Sequence, residues 1–127
     1  MKIKLSSVLV DDQDQAEDFY INVLGFSKKQ DIPLGEHRWL TVVSPEAPDE
    51  VELLLEPNQF APAKKYQAEL LDAGIPFTGF AVEDVVAEYQ RLLGLGVKFT
   101  MEPTDMGTTT IAVFHDTCGN LLQIYQV

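Results

Sequence analysis

A chain of 127 residues with 46% hydrophobic side chains holds enough apolar material for one globular core, and its length calls for no second domain. Twenty Asp and Glu against nine Lys and Arg give a net charge of −11, which argues against nucleic acid as a partner and suits a positively charged small molecule. The opening MKIKLSSVLV lacks the apolar core and cleavage site of a secretory signal, and no apolar run approaches the roughly 20 residues of a membrane helix. A cytoplasmic protein with no membrane partner is therefore expected.

In chain order, Ile3 to Val10 reads as a strand, and Asp11, Asp12 and Asp14 supply turn and cap residues for a helix with the apolar stripe Ala16, Phe19, Tyr20, Val23 and Leu24. Gly25 ends that helix. Phe26 to Gln30 is predicted as a short strand and Ile32 to Gly35 as a turn. His37 to Val43 and Val51 to Glu56 are predicted as two further strands, separated by Ser44-Pro45 and Ala47-Pro48-Asp49. Between the halves, Ala63 to Ala73 has the composition of a short helix, read as a covering linker or as a lid or dimer contact.

From Phe77 the order begins again. A strand runs into an acidic cap, then a helix with the stripe Val85, Val86, Tyr89, Leu92 and Leu93, closed by Gly94-Leu95-Gly96 as a C-cap turn. Val97 to Met101, Thr108 to Phe114 and Asn120 to Val127 supply three more strands. The repeat of architecture predicts an α+β fold of paired βαβββ modules, forming a curved, mostly antiparallel sheet around a cavity with helices outside. One domain over 1–127 is expected, with module one at about 1–57, a linker at 58–75 and module two at about 76–127.

Polar groups inside apolar strands mark the candidate site, because burying them without partners costs about 1–3 kcal/mol each. Glu52 lies in VELLLEP on one strand face with Leu54 and Glu56, and reads either as a half-exposed strand residue or as the cavity acid, a catalytic base or the holder of a ligand cation. Gln123 alternates with Leu121 and Tyr125 in the last strand, so Tyr125 lines the same wall. His37 shares a face with Trp39 and Thr41, and reads as a ligand-facing group or a surface strand end; Trp39 is a packing or pocket residue whose indole N–H needs a partner. Phe77 is a stacking surface or a core residue, and His115 is expected to be exposed at a turn. The single cysteine, Cys118, is expected as a partly exposed thiol. No Ser-His-Asp arrangement with nucleophile-elbow glycines is present.

The segments VDDQDQAEDFYINVLGF, WLTVVSP, VELLLEP, FAVEDVVAEYQRLLGLGVKFTMEP and DTCGNLLQIYQ, in this order, resemble the glyoxalase/bleomycin-resistance/extradiol-dioxygenase family, the vicinal oxygen chelate superfamily. The resemblance spans essentially the whole chain. It implies paired βαβββ modules and commonly a homodimer with cavities near the module interface. In metal-dependent members four strands each contribute an inward ligand, typically His or Glu. Carried onto this chain, the first position falls near Leu5, with Ser6 or Ser7 reached by a small shift. The second is Glu52, the third falls at Phe77 or Thr78, and the fourth is Gln123.

One carboxylate remains where three or more ligands are usual, so no metal is expected; a divalent ion, if bound, would take Glu52 and Gln123. The resemblance thus implies a small-molecule-binding, bleomycin-resistance-like protein with an eroded metal site and no resident cofactor. Its ligand-binding residues would be Ser7, His37, Trp39, Glu52, Phe77, Gln123 and Tyr125. The competing implication is a metal-dependent lyase, isomerase or dioxygenase acting on a vicinal-oxygen substrate, with Glu52 catalytic.

Overall fold

A computed structural model describes residues 1–127, and the chain forms two compact units, Met1–Lys65 and Tyr66–Val127. In the first, β1 (Leu5–Val10) is followed by Asp12, whose carboxylate accepts the Gln15 N–H at 3.1 Å and starts α1 (Gln13–Glu17). The helix widens into a π-helical stretch, Asp18–Val23, in which the Leu24 N–H reaches the Phe19 carbonyl at 2.9 Å. Adjacent Phe19 and Tyr20 are both buried there, their rings edge to face at 5.8 Å.

Strands β2 (Ser27–Leu34), β3 (His37–Val43) and β4 (Glu52–Pro57) complete a sheet of order β1-β4-β3-β2. β1 runs parallel to β4, and the other two pairings are antiparallel. One sheet face is covered by α1. There Val8, Val10, Leu40, Val42 and Leu55 are buried beneath Ala16, Phe19 and Tyr20, and each large side chain removed from water contributes about 1.5–3 kcal/mol.

The second unit repeats the plan. β5 (Thr78–Val82) leads to α3 (Val85–Gly94), whose N-cap Asp84 accepts the Ala87 N–H at 3.1 Å. β6 (Phe99–Asp105), β7 (Thr110–His115) and β8 (Leu121–Gln126) follow, in the order β5-β8-β7-β6 with β5 parallel to β8. Val85 and Leu92 of α3 are buried, and the rings of Tyr89, Phe99 and Phe114 pack in series at 4.6 and 5.3 Å. The α+β class and the doubled βαβββ plan are as predicted, the mostly antiparallel strands being divided into two four-stranded sheets. No helix is long and apolar enough to cross a membrane.

Two expectations need correction. The turn assigned to Ile32–Gly35 is strand: Ile32 pairs with Trp39 and Pro33 with Arg38, and the reversal is the two-residue Gly35-Glu36 hairpin. Likewise β6 runs through Pro103 to Asp105, past the expected strand end at Met101. Both prolines stand in strands at a sheet edge, where a missing N–H leaves no ladder bond unmade. The linker helix α2 spans Ala61–Asp72, close to the predicted 63–73.

Candidate functional site

The face of the first sheet turned away from α1 carries the Glu52 cluster. Register places Ser7 opposite Leu54, and Gln30 opposite Thr41; Trp39 and His37 follow Thr41 on the same face by the two-residue period. Between Lys28 and Gln30 the β2–β3 register slips, leaving Lys29 as an extra residue. Such a bulge re-aims the residue beside it, and here that residue is Gln30. Its backbone N–H donates to Thr41 Oγ1 at 3.1 Å, and its side-chain Nε2 donates to Glu52 Oε1 at 2.6 Å. Thr41 Oγ1 in turn donates to the same Glu52 Oε1 at 2.8 Å. Three neighbouring strands thus converge on one carboxylate oxygen.

The consequences are electrostatic. The Thr41 hydroxyl, and after it the Gln30 amide, hold the Glu52 carboxyl below its ordinary value, with smaller help from the charges of Lys29 and Lys4 and against a small opposing effect of burial. Thr41 is fully buried, while Glu52 and Trp39 are half-buried and Ser7 is exposed. Glu52 Oε2 receives no donor from the chain, and the indole of Trp39 has neither a ring contact nor a hydrogen bond.

Gln13 supports this face from behind. β3 and β4 pair only at Thr41↔Leu54 and Val42↔Leu53, and beyond them the Gln13 amide bridges the two backbones. Its Nε2 donates to the carbonyls of Arg38 at 2.7 Å and Leu55 at 2.9 Å, and its Oε1 accepts the Arg38 N–H at 2.9 Å. The residue after Arg38 is Trp39, so this amide fixes the backbone that presents the indole. The Arg38 guanidinium itself is occupied by Asp14, Glu17 and Asp31 at 2.8–3.1 Å.

In the second unit, Gln123 and Tyr125 share the sheet face turned away from α3. Gln123 lies between Gly79 on β5 and Val113 on β7, is half-buried, and makes no side-chain hydrogen bond. A Cβ at Gly79 would stand 3.4 Å from the Gln123 carbonyl and 3.6 Å from the Tyr125 ring, so the absence of a side chain there leaves space beside both residues. Phe77 is half-buried just before β5, edge to face with Tyr66 of α2 at 6.1 Å.

The Asp116–Asn120 turn is a structural knot. Asp116 Oδ1 accepts the N–H groups of Cys118 at 2.7 Å and Asn120 at 3.0 Å, and Oδ2 accepts the Asn120 side-chain amide at 2.7 Å. Gln67 of α2 donates to the Cys118 carbonyl and to Asn120 Oδ1, at 3.2 and 3.0 Å. Gly119 has φ +99, and a Cβ there would meet Gln67 Nε2 at 2.9 Å, so only glycine fits. Cys118 is fully buried, contrary to the exposed thiol expected, because these bonds pull the turn inward. His115 is likewise half-buried, tied by its N–H to the Lys98 carbonyl and paired with Leu121.

Of the residues carried over from metal-dependent proteins, Glu52 is the one carboxylate. No group of three or more His, Cys, Asp or Glu side chains is placed to hold a metal ion. Gln123 is flanked by Gly79 and Val113, which offer no side-chain ligand.

Doubled βαβββ units with a side-chain-lined sheet face define the class of scaffold. The Glyoxalase/Bleomycin resistance protein/Dioxygenase superfamily matches residues 2–124, and the chain belongs to that superfamily. The Bacillus subtilis (strain 168) protein YurT is 56% identical over 126 residues, covering 99% of both chains. Among solved structures, UcmS2 superposes with a TM-score of 0.86 at 31% identity, covering 100% of this chain and 98% of that one. TnmS3, an antibiotic binding protein from Streptomyces sp. CB03234, superposes with a TM-score of 0.75 at 27% identity over 99% and 95% of the two chains.

Proposed function

We propose that this protein is a non-catalytic small-molecule binder whose first unit receives an aromatic ligand against Trp39 and the Glu52 carboxylate. The observation that carries the reading is the Gln30–Glu52–Thr41 cluster. Two hydrogen donors fix a carboxylate that the family resemblance aligns with a metal ligand, which supports reading it as a preset hydrogen-bond acceptor. Gln123 and Tyr125 form the corresponding recognition surface of the second unit, with Ser7, His37 and Phe77 at the margins of the two faces. The likeness to TnmS3, an antibiotic binding protein, supports an antibiotic as the ligand class. The reading includes a cytoplasmic homodimer, the form common on this scaffold.

Trp39 is the only tryptophan of the chain, so tryptophan emission reports the surroundings of that one residue. A panel of aromatic antibiotics is expected to contain compounds that shift Trp39 fluorescence and raise the melting temperature together, and Glu52→Ala is expected to weaken them without unfolding the protein. A panel in which no compound moves either signal would count against the reading.

A further inference from the structure

The Glu52 cluster also restricts the chemistry of the ligand. This step rests on the reading of that face as a ligand surface, and asks what the free carboxylate oxygen would take. Glu52 Oε1 is saturated by Gln30 and Thr41, while Oε2 has no donor. Neither donor carries charge, so the carboxylate keeps its full negative charge without an ion-pair partner.

The two lysines whose charge reaches it are committed elsewhere. Lys29 Nζ lies 3.4 Å from Asp49 Oδ1, and Lys4 donates to the Asp49 carbonyl. Arg38 and Lys28 are engaged with Asp14, Glu17 and Asp31. An anion held rigid by neutral donors, with one oxygen open, favours a cationic N–H donor over a neutral one, because charge-assisted hydrogen bonds are about twice as strong. Past Thr41 on the same face stands an aromatic ring. Trp39 is two residues from Thr41 on β3, about 7 Å along the strand; it is half-buried, and its indole makes neither a ring contact nor a hydrogen bond.

We infer that the first unit selects ligands carrying a protonated amine a short distance from an aromatic ring, the ammonium bonding Glu52 Oε2 and the ring lying against Trp39. Gln30 and Thr41 are the positioning residues, since they orient the carboxylate without touching the ligand. The position of Gln30 in turn depends on the bulge at Lys29.

The test compares 2-phenylethylammonium with 2-phenylethanol, which replaces the cationic nitrogen by a neutral hydroxyl, using Trp39 emission at constant ionic strength. The ammonium compound is expected to reach half-saturation at a concentration about tenfold lower than the alcohol, the factor that corresponds to one charge-assisted bond. In Glu52→Gln, which keeps the shape and removes the charge, the two values are expected to converge. Circular dichroism of the variant reports whether the fold is retained, and should it fail to fold, Thr41→Val takes its place and is expected to narrow the gap.

Equal binding of both probes to the unaltered protein would overturn the inference and leave the small-molecule reading intact. A preference for ammonium that survives Glu52→Gln would also overturn it, since it would then belong to the chain's overall negative charge. Silence from both probes, with binding of an uncharged aromatic antibiotic, overturns the cationic selectivity alone; silence from every compound removes the ligand surface as well.

Discussion

Glu52 shows how one residue's meaning depends on its neighbours. On β4 it alternates with Leu54 and would be an ordinary strand glutamate, yet Gln30 and Thr41 aim three hydrogen bonds through one small cluster. Because its carboxyl titrates below the ordinary value when folded, the stability it contributes is fully present above the unfolded glutamate value. That contribution is lost as pH falls through the lowered folded value. The melting-temperature difference between the unaltered protein and Glu52→Gln is therefore expected to shrink between about pH 7 and about pH 3. A difference independent of pH would mean that the hydrogen bonds do not favour the ionised form. Thr41→Val removes a buried hydroxyl and strands the Gln30 N–H, at a cost of about 1–3 kcal/mol.

At the scale of elements, both units use an aspartate cap to begin the helix that covers the sheet. Asp84→Ala is expected to lower stability by about 1 kcal/mol in chemical denaturation, and Asp84→Asn to retain most of it. An Asp84→Ala variant as stable as the parent would show that packing of Val85 and Leu92 alone sets the helix start. These caps and the apolar stripes of α1 and α3 are local patterns, and they were legible in the sequence. Strand ends beside Pro33 and Pro103 were not, since a proline that breaks an interior strand is tolerated at an edge, and edge position is a property of the sheet.

The same limit applies to the site. Glu52, Trp39 and Gln123 stood out as polar or aromatic residues in apolar strands, but Gln13, Gln30 and Thr41 did not. Gln13 reads as one more polar residue in an acidic cap, and its bridging of β3 and β4 requires strands 25 and 42 residues away. A polar amide next to a lysine pair in a short strand was the available signal for Gln30, and it pointed equally to an edge.

For the whole molecule, the charge of −11 is distributed over both units, −5 within Met1–Lys65 (7 basic, 12 acidic) and −6 within Tyr66–Val127 (2 basic, 8 acidic). Self-repulsion of this size is relieved by counterions, so the melting temperature is expected to rise as NaCl increases from about 20 to about 200 mM. A fall over that range would show that the Arg38 and Lys28 ion pairs outweigh the repulsion. Composition, cap residues and the repeated strand–helix–strand order determined the α+β class and the doubled unit, because those depend on near neighbours in the chain. Tertiary structure alone decided that Glu52 is clamped by hydrogen donors and that Cys118 is buried, because both depend on side chains brought from distant strands and helices. Which groups surround a charge is fixed only when the register closes.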